Sequence, residues 1–147
     1  MADPKRELLR HLVATIDFRS NVSFRDAPES FGNFRLSDDL RTPAEIAGHL
    51  GDLMIGSLLL LKGEMRVVDA GDIGWFEAVA RFRTALIDLD GFLASDEELA
   101  IPIEKLTQGP IADALTHIGQ IVMLRRAAGI PVRSEPYFQA EIAAGKA

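Results

Sequence analysis

Large apolar residues recur at steps of three and four between residues 73 and 94, and this spacing constrains the fold more than any other feature. An α-helix turns once in about 3.6 residues, so side chains spaced in this way share one face. The pattern predicts a helix with one buried seam, which is typical of a helical bundle. The seam residues are Phe76, Val79, Phe82, Leu86, Leu89 and Leu93.

Three further stretches have helical periodicity, and none shows the alternation expected of a strand. We predict a first helix over residues 4–18, a second from 43 to about 62, and a fourth from 110 to about 128. Four helices joined by moderate connections predict an all-α four-helix bundle, with simple up-down order and a crossover both open. The length of 147 residues predicts one domain, covering residues 1–147.

The second helix has a strong start sequence at residues 42–45, Thr-Pro-Ala-Glu. Thr42 is expected to cap the helix, with Pro43 in the first turn and Glu45 placed for a capping box. Gly63 is expected to end this helix, because glycine readily adopts the left-handed conformation found at helix ends.

The fourth helix is expected to begin at Pro110 and to end before Gly129. Arg125 and Arg126 lie in its last turn, where positive charge complements the helix dipole. A short tail at residues 135–145 is expected to form a further helical piece.

A long connection separates the first two helices, at residues 19–41, and it contains Phe24, Phe31 and Phe34. Structureless connections of this length are uncommon in compact domains. The three phenylalanines therefore predict a segment that packs down as a cover over the bundle.

Composition excludes several classes of function. The chain has no cysteine, so it has neither disulfides nor thiolate metal ligands, and any metal must be held by His, Asp or Glu. The net charge of −6 disfavours nucleic-acid binding. The apolar run at residues 53–63 is too short to span a bilayer, and the N-terminus lacks a signal-peptide core. A cytoplasmic protein without a membrane partner is expected.

Three side chains form a candidate metal site. His49 lies three residues after Ile46 and four before Leu53, so it is expected near the buried face of the second helix. Asp113 and His117 are four apart and share one face of the fourth helix. Two histidines and one carboxylate are a known ligand set for divalent metals, and helical bundles build such sites from facing helices.

Simpler interpretations stay open for each of these residues. His49 could be a hydrogen-bonded core histidine, and Asp113 with His117 could be a surface ion pair. Gln120, one turn after His117, could orient a ligand or satisfy a backbone group. His11 is expected to be a core-edge residue rather than a further ligand.

Nearby charges also have simple interpretations. Asp52 could hold a ring N–H of His49, although a solvated position is favoured. Glu77 and Arg81 have the spacing of an i,i+4 pair that needs no function.

The stretches RTPAEIAGHLGDLM (41–54), WFEAVARF (75–82) and DALTHIGQIVMLRRAAGIP (113–131) resemble the DinB-like superfamily of bacterial four-helix-bundle proteins. The resemblance implies metal ligands at His49 and His117, with Gly119 and Gln120 following as in the family pattern. Asp113 stands where many members have histidine. In this respect the chain looks like the mycothiol-dependent maleylpyruvate isomerases, which use a carboxylate.

The resemblance implies a metal-dependent enzyme, with zinc or nickel the expected metal. It would use a low-molecular-weight thiol, such as bacillithiol or mycothiol, for transfer or isomerisation of a small-molecule substrate. The alternative is a non-catalytic bundle that binds a small ligand or a structural metal. The apolar run SLLLL at residues 57–61 favours a homodimer, because one chain is not expected to bury it fully.

Overall fold

The computed structural model describes residues 2–145, and in that range its regular structure is entirely helical, with four long helices and no strand. Helix α1 spans Pro4–Phe24, α2 Pro43–Leu61 and α3 Trp75–Ala94. A short helix α4, Ile103–Leu106, leads into the fourth long helix α5, Ala112–Ala127. The predicted all-α bundle is confirmed at this level. Residues 1, 146 and 147 of the expected domain lie outside the described range.

The connection between α1 and α2 crosses the bundle. These consecutive helices lie at opposite corners, because each of them packs against α3 and against α5. Residues 25–42 make the crossing, with one 3₁₀ turn at Glu29–Asn33. Of the two arrangements left open by the sequence, the bundle has the crossover.

The phenylalanines of this region pack down as expected. The rings of Phe24 and Phe31 each meet the indole of Trp75 edge to face, with centroids 5.2 Å apart in both pairs. Phe34 packs half-buried against the same core. The crossing segment therefore covers one end of the bundle.

Helix α1 is longer than predicted and continues to Phe24 instead of ending near Phe18. The prediction was wrong because the polar residues after Phe18 resemble a loop. Ser20 and Ser23 donate their hydroxyl groups to the backbone carbonyls of Asp17 and Arg19, at 2.9 and 2.8 Å. The hydroxyls are thus satisfied within the helix and can be buried.

The predicted boundaries of α2 are confirmed. The side chain of Thr42 accepts a hydrogen bond from the Glu45 amide at 3.2 Å. Gly63, just past the end of the helix, has a φ of +80°. In the seam of α3, Phe82, Leu86, Leu89 and Leu93 are buried, Val79 is half-buried, and the Phe76 side chain is 59% exposed.

The start of the fourth long helix differs from the prediction, because helical structure already begins with α4 at Ile103 and reaches α5 without a free helix start. A wide turn at Thr107–Ile111 joins α4 to α5, and Gly109 within it has the non-helical angles φ −102° and ψ −106°. Pro110 therefore follows a kink rather than a free helix start. At the other end, Gly129 has a φ of +79°, as expected of a helix cap. The tail contains only a 3₁₀ turn at Tyr137–Gln139.

Arg125 does more than complement the helix dipole. Its side chain is 4% exposed, and it donates to the backbone carbonyls of Ser23, Arg25 and Ile130. Burial lowers the pKa of its guanidinium group below the ordinary value for arginine. The side chain ties the end of α1 to the end of α5.

Helix α2 is long and apolar enough to cross a membrane by length and composition alone, and 56% of the tested stretch is buried inside the bundle. Core helices of globular proteins commonly have the same composition.

Candidate functional site

The rings of His49 and His117 touch across the bundle. Their centroids are 4.8 Å apart, and the ring planes meet at 86°. Helix α2 provides His49 and α5 provides His117, and both side chains are half-buried. The structure thus brings together two of the three predicted site residues, which are 68 positions apart in the sequence.

The His49 imidazole is held in its neutral form. Burial is the largest cause that lowers its pKa below 6.5, and the neighbouring Arg41 and His117 act in the same direction. The carboxylates of Asp52 and Asp113 oppose the shift without reversing it. A neutral imidazole keeps one nitrogen lone pair, which is the form that ligates metals.

The His117 ring is oriented by Gln120 on the same helix. The Nδ1 atom of His117 lies 2.8 Å from the side-chain Oε1 of Gln120. An amide oxygen only accepts hydrogen bonds, so Nδ1 must carry the proton in this arrangement. In the neutral ring this leaves Nε2 with a lone pair for a ligand.

Asp113 is close to the pair without contacting it. Its side chain is exposed, and within residues 2–145 it makes no hydrogen bond or ion pair. Across the same residues, no group of three His, Asp or Glu side chains is placed to hold a metal ion. The two histidines therefore converge, while the carboxylate predicted as third ligand lies apart from them.

A side-chain clamp holds α2 against α3 beside His49. Asp52 accepts a hydrogen bond from Arg81 Nη2 at 2.6 Å and another from the Ala70 amide at 3.2 Å. Arg81 Nη1 also donates to the carbonyl of Gly48 at 3.0 Å. Arg81 thus pairs with Asp52 rather than with Glu77, and Asp52 is neither solvated nor bonded to the imidazole.

The clamp depends on Gly51. A Cβ atom at this position would lie 2.7 Å from Arg81 Nη1, which is too close for ordinary contact. Sequence reasoning missed the clamp because its partners are on different helices. The one indication in the sequence that another element packs closely on α2 was the pair of glycines, Gly48 and Gly51, on either side of His49.

A cleft of about 340 Å³ opens beside His117. Its walls are mainly apolar, and its polar residues are Asp39, Arg41, His117 and Gln120. The apolar walls comprise Leu36, Leu40, Ile46, Met123 and Leu124. Small-molecule sites commonly combine an apolar cleft with a few polar groups in this way.

His11 lies elsewhere, since it is exposed on α1 and not at the core edge. His11 is therefore a suitable control for histidine chemistry, because its environment differs from that of the His49–His117 pair.

No protein-family model matches the chain, and comparison with curated proteins and with solved structures finds no similar protein.

Proposed function

We propose that this chain is a DinB-like protein in which His49 and His117 bind a divalent metal ion, with Asp113 as third ligand. The observation that carries the proposal is the edge contact of two imidazoles from different helices, 4.8 Å between centroids. The crossover of α1 to α2 and the three stretches that resemble the family support the assignment.

The donor chemistry suits zinc or nickel. His49 is neutral because of burial, and His117 is oriented by Gln120 with one nitrogen free for a ligand. Asp113 lies one turn before His117 on the same helix, and its exposed side chain is free to change rotamer toward the pair. Its negative charge already acts on His49.

A bound divalent ion with an open coordination position would lower the pKa of a sulfur ligand and so stabilise a thiolate. The chain has no cysteine, so the thiol would come from a low-molecular-weight cofactor. The cleft beside His117 would hold the organic substrate against Leu36 and Met123, with Arg41 placed for an anionic group. We infer a thiol-dependent transferase or isomerase that acts on a small molecule.

The test is isothermal titration of tag-free, chelator-treated protein with Zn²⁺ and with Ni²⁺. We expect one ion per chain, with binding lost in His49→Ala and in His117→Ala. Asp113→Asn should weaken binding about tenfold, because a neutral amide oxygen is a poorer ligand than a carboxylate.

His11→Ala is the matched control, since it removes an exposed histidine of the same chemistry. It should leave metal affinity unchanged. Absence of binding in the wild-type protein, or an equal loss in His11→Ala and His117→Ala, would refute the proposed site.

A second candidate function is that of a dimeric bundle without catalysis. Met65 and Val67 follow α2 and are 90% and 95% exposed, beside a cleft that also includes Leu60. Apolar side chains exposed together favour burial against another surface, and a second copy of the chain is the simplest occupant.

Light scattering at several protein concentrations tests this second candidate independently of the metal site. A dimer of this kind should dissociate in Val67→Lys, whereas Leu8→Lys on α1, where the leucine is 63% exposed, should not affect it. A monomer at all concentrations would exclude this interface and leave the metal proposal unaffected.

A further inference from the structure

A second cleft, of about 520 Å³, lies between α1, α5 and the segment after α5. It shares no lining residue with the cleft beside His117. Its apolar surface comes mainly from α5, through Leu115, Ile118 and Val122, with Val132 opposite. This second cleft is therefore separate from the site of the histidine pair.

Three arginines surround this cleft, one from each element. They are Arg19 of α1, Arg126 of α5 and Arg133 of the following segment. No carboxylate lines the cleft within residues 2–145, and none of the three forms an ion pair there. Concentrated positive charge is unexpected in a chain of net charge −6, so its placement points to an anionic ligand.

Neighbouring groups hold the arginines without neutralising them. The guanidinium carbon of Arg19 lies 3.9 Å from the ring centroid of Tyr137, which orients the group while leaving its charge intact. Glu135 is the nearest acid in sequence to Arg133, but its carboxylate pairs with Arg25 at 3.5 Å.

Two of the four hydroxyl groups of the cleft are already engaged. Thr15 and Ser23 donate to carbonyls of α1. Ser134 and Tyr137 carry the other two hydroxyls, and within the described residues neither hydroxyl makes a hydrogen bond. The available donors for a ligand are thus the guanidinium groups and these two hydroxyls.

Gly119 opens the wall of the cleft. It lies within α5, and a Cβ atom there would meet no atom within 4 Å. A glycine inside a helix costs about 1 kcal/mol relative to alanine. Because Gly119 lines the cleft, a side chain at this position would occupy open space there.

We propose that this cleft binds a small organic anion, in which an apolar body packs on α5 and a carboxylate, sulfonate or phosphate group meets the arginines. Charge complementarity and the apolar walls together select this class. The volume suits a ligand of metabolite size.

The probe for the test is 1-anilinonaphthalene-8-sulfonate, whose fluorescence rises in apolar sites. N-phenyl-1-naphthylamine, which lacks the sulfonate, is the neutral control. We expect Arg126→Gln and Arg133→Gln each to weaken sulfonate binding about threefold to tenfold, as expected for partly exposed charged contacts. Binding of the neutral amine should be unchanged in both variants. Arg66→Gln, an exposed arginine outside the cleft, is the matched control and should have no effect.

Gly119→Leu tests the location without changing the charge. The variant should fold as the wild type does, because the added side chain enters open space. It should lose at least tenfold in affinity for the sulfonate, since it fills the cleft. Circular dichroism checks the fold of every variant.

Competition defines the class of ligand. Octanoate should displace the sulfonate probe, and octanol at the same concentration should not. The proposal is overturned if the Arg126 and Arg133 variants bind the sulfonate as the wild type does, or if Gly119→Leu leaves its affinity unchanged. Equal displacement by octanol would also overturn it, because apolar contact alone would then account for binding.

Discussion

The Asp52–Arg81 clamp gives the sharpest test of how the structure supports the histidine pair. The two side chains are 15% and 25% exposed, and their charged atoms are 2.6 Å apart. Exposed ion pairs contribute about 0.2–1 kcal/mol to stability, whereas removing one partner of a fully buried pair costs about 3–5 kcal/mol. This pair lies between the two limits, so we expect a coupling free energy of about 2 kcal/mol.

Each partner also makes one further hydrogen bond. Arg81→Ala loses the bond to the Gly48 carbonyl, and Asp52→Ala loses the bond from the Ala70 amide. We therefore expect each single variant to lower the free energy of unfolding by about 3 kcal/mol, and the double variant by about 4 kcal/mol. For a chain of this length, each single change should lower the melting temperature by about 6–12 °C.

Urea denaturation of the wild type, both single variants and the double variant measures the coupling. Lys5 and Glu104, which form an exposed ion pair, provide a matched cycle on the same protein. Their coupling should be much smaller and should fall further in high salt. If the Asp52–Arg81 coupling is no larger than that of Lys5–Glu104, the clamp does not hold α2 against α3 as argued.

Three further predictions concern single residues. In urea titrations, Gly51→Ala should destabilise the protein by about 1–2 kcal/mol, because the added Cβ would crowd Arg81. Gly56→Ala is the control, since a Cβ there meets open space; it should be neutral or stabilising by about 0.5–1 kcal/mol. Arg125→Met should cost about 3 kcal/mol in the same assay, because three backbone carbonyls lose their donor. Burial lowers the pKa of His49, so below pH 6.5 the unfolded chain binds a proton that the folded chain resists. The metal-free protein should therefore lose stability as the pH falls below 6.5, and His49→Gln should show a smaller loss. The free energy of unfolding is measured by urea titration at several pH values; an equal dependence on pH in the wild type and in His49→Gln would contradict this.

Local sequence patterns predicted the parts of the fold that depend on neighbouring residues. Thr42 and Gly129 were identified as helix caps because capping uses atoms only a few residues apart. Helical periodicity placed His49 near the buried face of its helix, and the spacing of four placed His117 on one face with Asp113; their approach followed from the hypothesis of a shared metal site.

Features that depend on distant partners could not be predicted in this way. The end of α1 was placed too early because Ser20 and Ser23 favour loops unless their hydroxyls bond within the helix. Phe76 has the spacing of the buried seam, yet no neighbouring element covers it. The pairing of Arg81 with Asp52 joins two helices, and helix spacing alone gave the different pair Glu77–Arg81.

The arrangement of α5 explains how one helix contributes to both proposed sites. Its buried stripe is Ala114, Ile118, Ile121 and Arg125. Because each residue advances about 100° around the helix, the positions one residue earlier form a neighbouring stripe on one side, and those one residue later a stripe on the other. The earlier stripe contains Asp113, His117, Gln120 and the buried Leu124. His117 meets His49 of α2, and His117, Gln120 and Leu124 line the first cleft.

The later stripe of α5 contains Leu115, Gly119, Val122 and Arg126, which line the second cleft beside α1. The core stripe lies between the two, so side chains of one site do not reach the other directly. A packed core transmits small shifts of a helix to both of its flanks. Since α2 lies on one flank and α1 on the other, a ligand that moved α5 toward either helix would change the width of the opposite cleft. The sequence DALTHIGQIVMLRR thus combines a core stripe, which with Leu124 packs the helix into the bundle, with two flanking stripes that line separate clefts.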